Sequence, residues 1–316
     1  MNEKIRLGIS SCLLGEKVRY DGGHKLDHFL RDSLGKYVDW VPVCPEVEIG
    51  LPVPREAMRL VGLPEAPRLI TVRTGKDYTD RMSKWAAKRL KEIEEEDLCG
   101  FVFKSRSPSS GMKAVKVYSE SGVPSNKGTG IFAMAFIKRF PLLPVEDEGR
   151  LNDPVLRENF IERIFVYQQW KEFLKSAGSI AQLIAFHTRY KILILSHSTK
   201  HYTILGRLVA DAKKYKTDEI RRDYLKHLME GLRLTATIRK HTNVLQHMMG
   251  YFKARLTADE KQELSETIEK YHAGFVPLIV PLTLLMHYVR KFDEPYLKGQ
   301  YYLRPHPAEL MLRNHV

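Results

Sequence analysis

Apolar and polar positions change rhythm about halfway along the chain. In the first half, short apolar runs alternate with stretches of helical spacing. Residues 5–10 alternate as a strand does, 27–34 carry the spacing of a short helix, and 40–44, 69–73 and 100–104 again read as strands. Thr79 or Asp80 can cap a helix running to about Glu96, with Trp85, Ala86, Leu90 and Ile93 along one core-facing stripe. Residues 115–118 add a short strand and 130–139 a helix. This alternation predicts an α/β unit on a mostly parallel sheet with helices on both faces. In such sheets ligands sit beyond the carboxyl ends of the strands.

The stretch 141–153, rich in Pro, Glu and Asp, breaks that rhythm and reads as a linker. Beyond it helical periodicity is nearly continuous. Helices are predicted over 156–174, 180–197, 202–214, 218–256 (interrupted near Gly231), 258–272 and 280–292. Thr257 followed by Glu260 has the spacing of a capping box. The second part is therefore expected to be an all-α bundle of roughly six helices. A length of 316 residues also exceeds what one core usually supports. The expected domains are 1–148 and 149–316.

Charge sharpens this division. Residues 1–150 hold 25 Lys/Arg against 21 Asp/Glu, whereas 151–316 hold 26 against 17, out of a net +13. Within 187–255 there are 15 basic and 5 acidic side chains and six histidines. A solvated helical face accounts for such a bias as well as a polyanionic partner does. The chain's start lacks the apolar core of a signal peptide. The most apolar stretch, 275–288, is broken by Pro277 and Pro281 and too short to span a bilayer. A soluble, cytoplasmic protein with no membrane partner is expected. Three scattered cysteines, Cys12, Cys44 and Cys99, make no disulfide framework. They are metal ligands, a reactive thiol, or small buried hydrophobes.

Three segments place polar, chemically able residues directly after apolar strands: Ser10-Ser11-Cys12-Leu13-Leu14-Gly15, Val43-Cys44-Pro45-Glu46, and Lys104-Ser105-Arg106-Ser107-Pro108-Ser109-Ser110-Gly111. In a parallel sheet these loops share one edge. Two thiols with the Glu46 carboxylate then make a metal or nucleophile site. His197 and His201 stand four apart, as zinc ligands can on a helix, but no third ligand is evident in the sequence.

The motifs SSCLLG, RYDGGHK, VCPEVEIGLPVPR and KSRSPSSG closely resemble the bacterial thiouracil desulfurase family, over roughly residues 5–145. The segments VEDEGRLND, RENFIERIFVY and AFHTRYKILILSH resemble the YbgA-type helical domain often fused to it. That fusion looks like the bacterial desulfidases acting on 4-thiouridine in tRNA. The resemblance implies a [4Fe–4S] cluster with one open iron, held by Cys12, Cys44 and a third ligand, and a non-redox desulfidation of a thiolated pyrimidine. It implies Glu46 as general acid/base and Ser107 as the residue orienting or protonating substrate. Ser11, Asp21, Lys104 and Ser109 are the candidate substrate-binding residues. For a tRNA or other thiolated RNA partner the candidate contacts are Arg189, Lys191, Lys213, Lys214, Arg221, Arg222, Arg239 and Lys240, with Tyr190 and Tyr215 able to stack on bases.

One residue departs from the family. Its third ligand normally lies in Ser-Pro-Ser-Cys-Gly, and here Ser110 stands at that position. A serine hydroxyl is a far weaker iron ligand than a thiol. Cys99 is the fallback, although a regular strand places it at the opposite end of the sheet. A small-molecule thiouracil desulfurase, and an RNA-binding protein that lost its cluster through Ser110, are the competing readings.

Overall fold

The computed structural model describes residues 4–315 and contains two compact units, Met1–Asp153 and Pro154–Val316. In the first, β1 (Ile5–Ser10) pairs in parallel with β2 (Val38–Val43) and with β5 (Phe101–Phe103), and β5 pairs in parallel with β8 (Val145–Asp147). The order is β2-β1-β5-β8. A second, mixed sheet has the order β4-β3-β6-β7, from β3 (Met58–Leu63), β4 (Ala66–Thr71), β6 (Val115–Tyr118) and β7 (Pro124–Gly128). Two sheets thus replace the single one expected. The stretch taken for a linker supplies β8, an edge strand of three residues in which only Val145 is apolar.

Central strand β1 carries Gly8, where a Cβ would stand 2.1 Å from the Phe101 ring. Its absence lets Phe101 and Phe103 stack at 4.4 Å beneath α2 (Thr79–Glu95) and α3 (Ile131–Arg139). Ala86, Leu90, Ile93, Phe132 and Phe136 close this core. The predicted stripe of α2 is therefore its packing face, except that Trp85 is only partly buried.

The second unit consists of α4 (Pro154–Lys175), α5 (Ile180–His197), α6 (Thr199–Ala210), α7 (Thr217–Leu232), α8 (Ile238–Met249), α9 (Ala258–His272), α10 (Ile279–Lys291) and the short α11 (Pro295–Lys298). The helical stretch expected over 218–256 breaks where it was expected to, near Gly231: α7 ends at Leu232 and α8 begins at Ile238, ending at Met249 rather than running to 256. The Thr257–Glu260 capping box forms as its spacing demands, Thr257 Oγ1 accepting from Glu260 N and Glu260 Oε2 from Thr257 N. Trp170 stacks on Tyr224 at 5.4 Å in the aromatic centre. Beside it lies a buried ionic cluster in which Arg313 donates to Glu158 and Glu162 while His197 bonds Glu162 at 3.0 Å. Among the described residues no helix is long and apolar enough to cross a membrane.

Candidate functional site

Register brings the strand-end loops together. Ser10 lies opposite Val43, Ile9 opposite Val102, and Phe103 opposite Asp147, so all four parallel strands finish at one edge. Beyond that edge is a cavity of about 870 Å³ lined by Ser11, Cys12, Cys44, Glu46, Lys104, Ser107 and Ser110, among others.

Each loop is built to hold its side chains. Cys12 sits in a tight 3₁₀ turn, Ser11–Leu14, closed by Gly15 at φ 95°. Its carbonyl accepts from Lys25 N at 2.9 Å. Cys44 precedes the single turn α1 (Pro45–Glu48), where Pro45 occupies the first helical position and suits it by its fixed φ. The Cys44 amide donates to Glu48 Oε1 at 3.0 Å, and Glu46 falls in the first turn, facing the cavity. In the third loop Ser107 Oγ accepts from the amides of Ser109 and Ser110, at 3.3 and 3.2 Å. The start of α3 clamps the same loop, Phe132 N donating to Ser109 O at 2.9 Å. Arg106, also on the cavity wall, takes a left-handed φ of 57°, a conformation that costs a non-glycine residue on the order of 1 kcal/mol.

Glu46 is the hub. Its Oε1 accepts from Ser109 Oγ at 2.5 Å, its Oε2 lies 3.6 Å from Cys44 Sγ, and Arg55 stands 3.8 Å away. Burial pushes the Cys12 thiol up to about 11, against the opposing pull of Lys104. Burial and the Glu46 carboxylate push Cys44 up to about 12. Both are neutral thiols at neutral pH unless a cation offsets the cost of the buried thiolate. The groups able to hold a soft metal are thus the Cys12 and Cys44 sulfurs, with the Ser110 hydroxyl as a hard oxygen donor.

Not every sequence candidate arrives at the cavity. Asp21 is exposed and outside its lining; its carboxylate accepts from Gly23 N and Arg19, serving the turn. Ser109 is fully buried and outside the lining; it acts on the cavity through Glu46, Ser107 and Ser110, which its hydroxyl contacts. Lys104 is on the wall, but its Nζ is held by Glu148 and by Ser105. Cys99 is fully buried and absent from the lining; its amide donates to Arg6 O, at the start of β1, so the fallback ligand lies at the far end of the strands. The sequence reading missed Asp147 and Arg150, placed on the wall by β8 and the turn after it. Arg55, which the sequence offered only as an ion-pair partner of Glu46, makes that pair and also lines the wall, its buried Nε without a hydrogen-bond partner among the described residues. Arg55 was visible within VCPEVEIGLPVPR; Arg150 was hidden by the supposed linker. The wall carries seven Lys/Arg side chains against Glu46, Glu56 and Asp147, which favours an anionic ligand.

In the second unit Arg189, Lys213, Lys214, Arg222 and Arg239 are exposed. Three other candidates have structural duties. Arg221 donates to the carbonyls of Ala177 and Gly178, Lys240 Nζ to those of His197 and Thr235, and Lys191 lies over the Tyr296 ring at 4.8 Å. Tyr190 is no base-stacking platform: it is 1% exposed and stacked on Phe186 at 4.1 Å. Tyr215 remains 37% exposed. The His197–His201 pair is split, His197 closing α5 against Glu162 and His201 opening α6.

Residues 7–148 match the family described as 2-thiouracil desulfurase, and residues 191–307 match "Protein of unknown function (DUF1722)". The uncharacterized protein YbgA of Escherichia coli (strain K12) is 33% identical over 153 residues, 48% of this chain and 90% of its own. The uncharacterized protein YbbK of Bacillus subtilis (strain 168) is 31% identical over 154 residues, 46% of this chain and 97% of its own. A solved structure described as a [4Fe-4S]-dependent thiouracil desulfidase, TudS, shares 30% identity over 48% of this chain and 95% of its own, with a TM-score of 0.39. With strand-end motifs, family match and relatives in agreement, the chain belongs to the 2-thiouracil desulfurase family, joined to a DUF1722 domain in the same polypeptide.

Proposed function

We propose that this protein hydrolyses the carbon–sulfur bond of a thiolated pyrimidine, with water supplying oxygen and sulfide leaving, and that a [4Fe–4S] cluster held by Cys12, Cys44 and Ser110 is its cofactor. The observation that carries this reading is the convergence of two thiols, Cys12 buried and Cys44 half-buried, with Ser110 and the Glu46 carboxylate on one cavity. The donor set suits iron at two of three positions, since two thiols facing one space are soft ligands; Ser110 offers a harder oxygen. When bound, the cluster would supply a thiophilic iron that polarises the thiocarbonyl bond.

The chain's own residues do the rest. Glu46, fixed by Ser109 and Arg55, takes the proton from the attacking water and returns it as the sulfur leaves. C=S and water become C=O and hydrogen sulfide, with no net electron transfer. Ser107, its oxygen already accepting two amides, directs its hydroxyl hydrogen toward Ser109 or a bound ring. The orphaned Arg55 Nε and the cationic wall suit the oxygens of a nucleotide.

We take the substrate to be 4-thiouridine in tRNA. The concentration of positive charge in 187–255 and the exposed Arg189, Lys213, Lys214, Arg222 and Arg239 support a polyanionic partner. A cytoplasmic setting, where thiols stay reduced, fits the three free cysteines.

The test is anaerobic reconstitution followed by iron and acid-labile sulfide assays, then sulfide release from thiolated tRNA and from free 4-thiouracil. About four irons and four sulfides per chain are expected, with faster turnover of the RNA. Absence of iron from the unaltered chain and its uptake by Ser110→Cys would sink the cofactor assignment. Equal turnover of the free base, with no binding of tRNA, would leave the desulfidase and remove the RNA.

A further inference from the structure

His201 lies in the first turn of α6, and His227 and Glu230 stand three residues apart near the end of α7. One ligand atom from each lies within 4.8 Å of the other two. Glu230 Oε2 is 3.4 Å from His227 Nδ1 and 3.9 Å from His201 Nε2. The His227 Nδ1 atom is buried, yet it makes no hydrogen bond among the described residues even with that carboxylate beside it. Proximity without hydrogen-bond alignment is what ligands of a shared ion show: two donors about 2.05 Å from a tetrahedral zinc stand about 3.4 Å apart.

Two further features hold the arrangement. Ser198, the N-cap of α6, accepts from His201 N and lies 2.9 Å from His201 Nδ1. With that hydrogen bond made by Nδ1–H, the lone pair of the ring is on Nε2, the atom facing Glu230, as the outer partner of a metal-binding histidine arranges it. Gly231 supplies the close approach. A Cβ there would stand 2.8 Å from His201 Cβ and 3.0 Å from its Cγ, so a side chain larger than hydrogen would push His201 off α7.

We propose that His201, His227 and Glu230 form a zinc-class divalent cation site that clips α6 to α7. Two imidazoles and a carboxylate suit zinc rather than calcium or magnesium, which take oxygen ligands. The Glu230 side chain keeps 43% of its surface exposed and His227 30%, so a fourth position opens to solvent and takes water. This site contains no cysteine, belongs to the second unit, and is independent of the desulfidase reading.

The experiment uses the 316-residue chain carrying Cys12→Ser and Cys44→Ser, so that the paired cavity thiols cannot supply the zinc; Cys99, fully buried, stays. After a chelator wash, zinc is added back and bound metal is counted by mass spectrometry; cobalt(II) then replaces it for visible spectroscopy. One zinc per chain is expected, with the intense visible bands of four-coordinate cobalt. His201→Ala, His227→Ala and Glu230→Gln should each weaken binding by more than about tenfold, the scale on which even outer-shell partners act. Gly231→Ala, which keeps all three ligands, should do the same. Glu230→Gln alters an exposed side chain, so its unchanged circular dichroism keeps the result readable if a histidine variant fails to fold. The proposal is overturned if the Cys12→Ser, Cys44→Ser chain retains no zinc, or if Glu230→Gln and the histidine variants bind it as that parent does.

Discussion

At the residue scale, the chemistry rests on how few groups the cavity places near one another. Glu46 touches Ser109, Cys44 and Arg55, so its position is set from three sides and its role can be probed without moving the loop. Glu46→Gln preserves shape and removes the proton acceptor. Turnover should fall by about 10²- to 10⁴-fold with iron content unchanged. Activity within a factor of about two of the parent would remove Glu46 from the mechanism. Ser110→Cys works in the opposite direction, adding a soft donor where the family has one. It should raise iron retained after brief exposure to air, read as cluster absorbance and iron per chain. Both residues were legible before folding, because their motifs are contiguous. Ser109's action through Glu46 was not, since that hydrogen bond joins segments distant in the sequence.

At the element scale, the site depends on loops fastened to the helices behind them. Gly130 precedes α3, and a Cβ there would lie 2.5 Å from the carbonyl carbon and oxygen of Ser109 and 2.7 Å from Ser110 N. Gly130→Ala must therefore displace backbone in the loop carrying Ser107 and Ser110, costing about 1–3 kcal/mol. Its expected signature is a lower melting temperature together with poor iron uptake. A variant that melts like the parent and takes up iron normally would show that the loop does not need this clamp. Elements with strong local periodicity, such as β1, α5 and α9, were read correctly to the residue. Strands β7 and β8 were missed because their hydrophobic content is slight, and β3, though apolar, because it lacks a regular alternation; partner strands rather than local pattern make them strands.

At the scale of the whole molecule, buried histidines couple stability to pH. Burial lowers His187, beside Tyr224 and Lys191, to about 4. Burial does the same to His241, which faces Tyr302, Arg313, Glu158, Glu162 and His197. For each, the unfolded chain binds the extra proton between the ordinary histidine value near 6.5 and about 4. Stability is thus complete above that ordinary value and falls through this window, by roughly 3 kcal/mol per histidine across it. Burial alone would raise the Glu162 carboxyl, but His197 and Arg313 hold it down at about 2, so its contribution is lost only in stronger acid. Urea denaturation at pH 7 and pH 5 tests the histidines, and equal midpoints would refute their buried, neutral state. The proposed RNA binding would have its own global signature, a linear fall of log affinity with log salt. Replacing Arg189, Lys213, Arg222 and Arg239 with Ala should flatten that slope by about 1 for each phosphate no longer neutralised. An unchanged slope would place the RNA elsewhere or nowhere.

Sequence by itself determined the two kinds of unit, because periods of two and of 3.6 residues record which faces must be buried. It also determined the loops that carry Cys12, Cys44, Glu46 and Ser107, because parallel strands must end at a common edge. Only the tertiary structure decided which polar groups are spoken for. Lys240 and Arg221 cap carbonyls, Tyr190 fills the core, Asp21 serves a turn, and His201 meets His227 and Glu230 across a glycine on another helix. Buried polar groups must find partners wherever the chain brings them, and those pairings leave no period in the sequence.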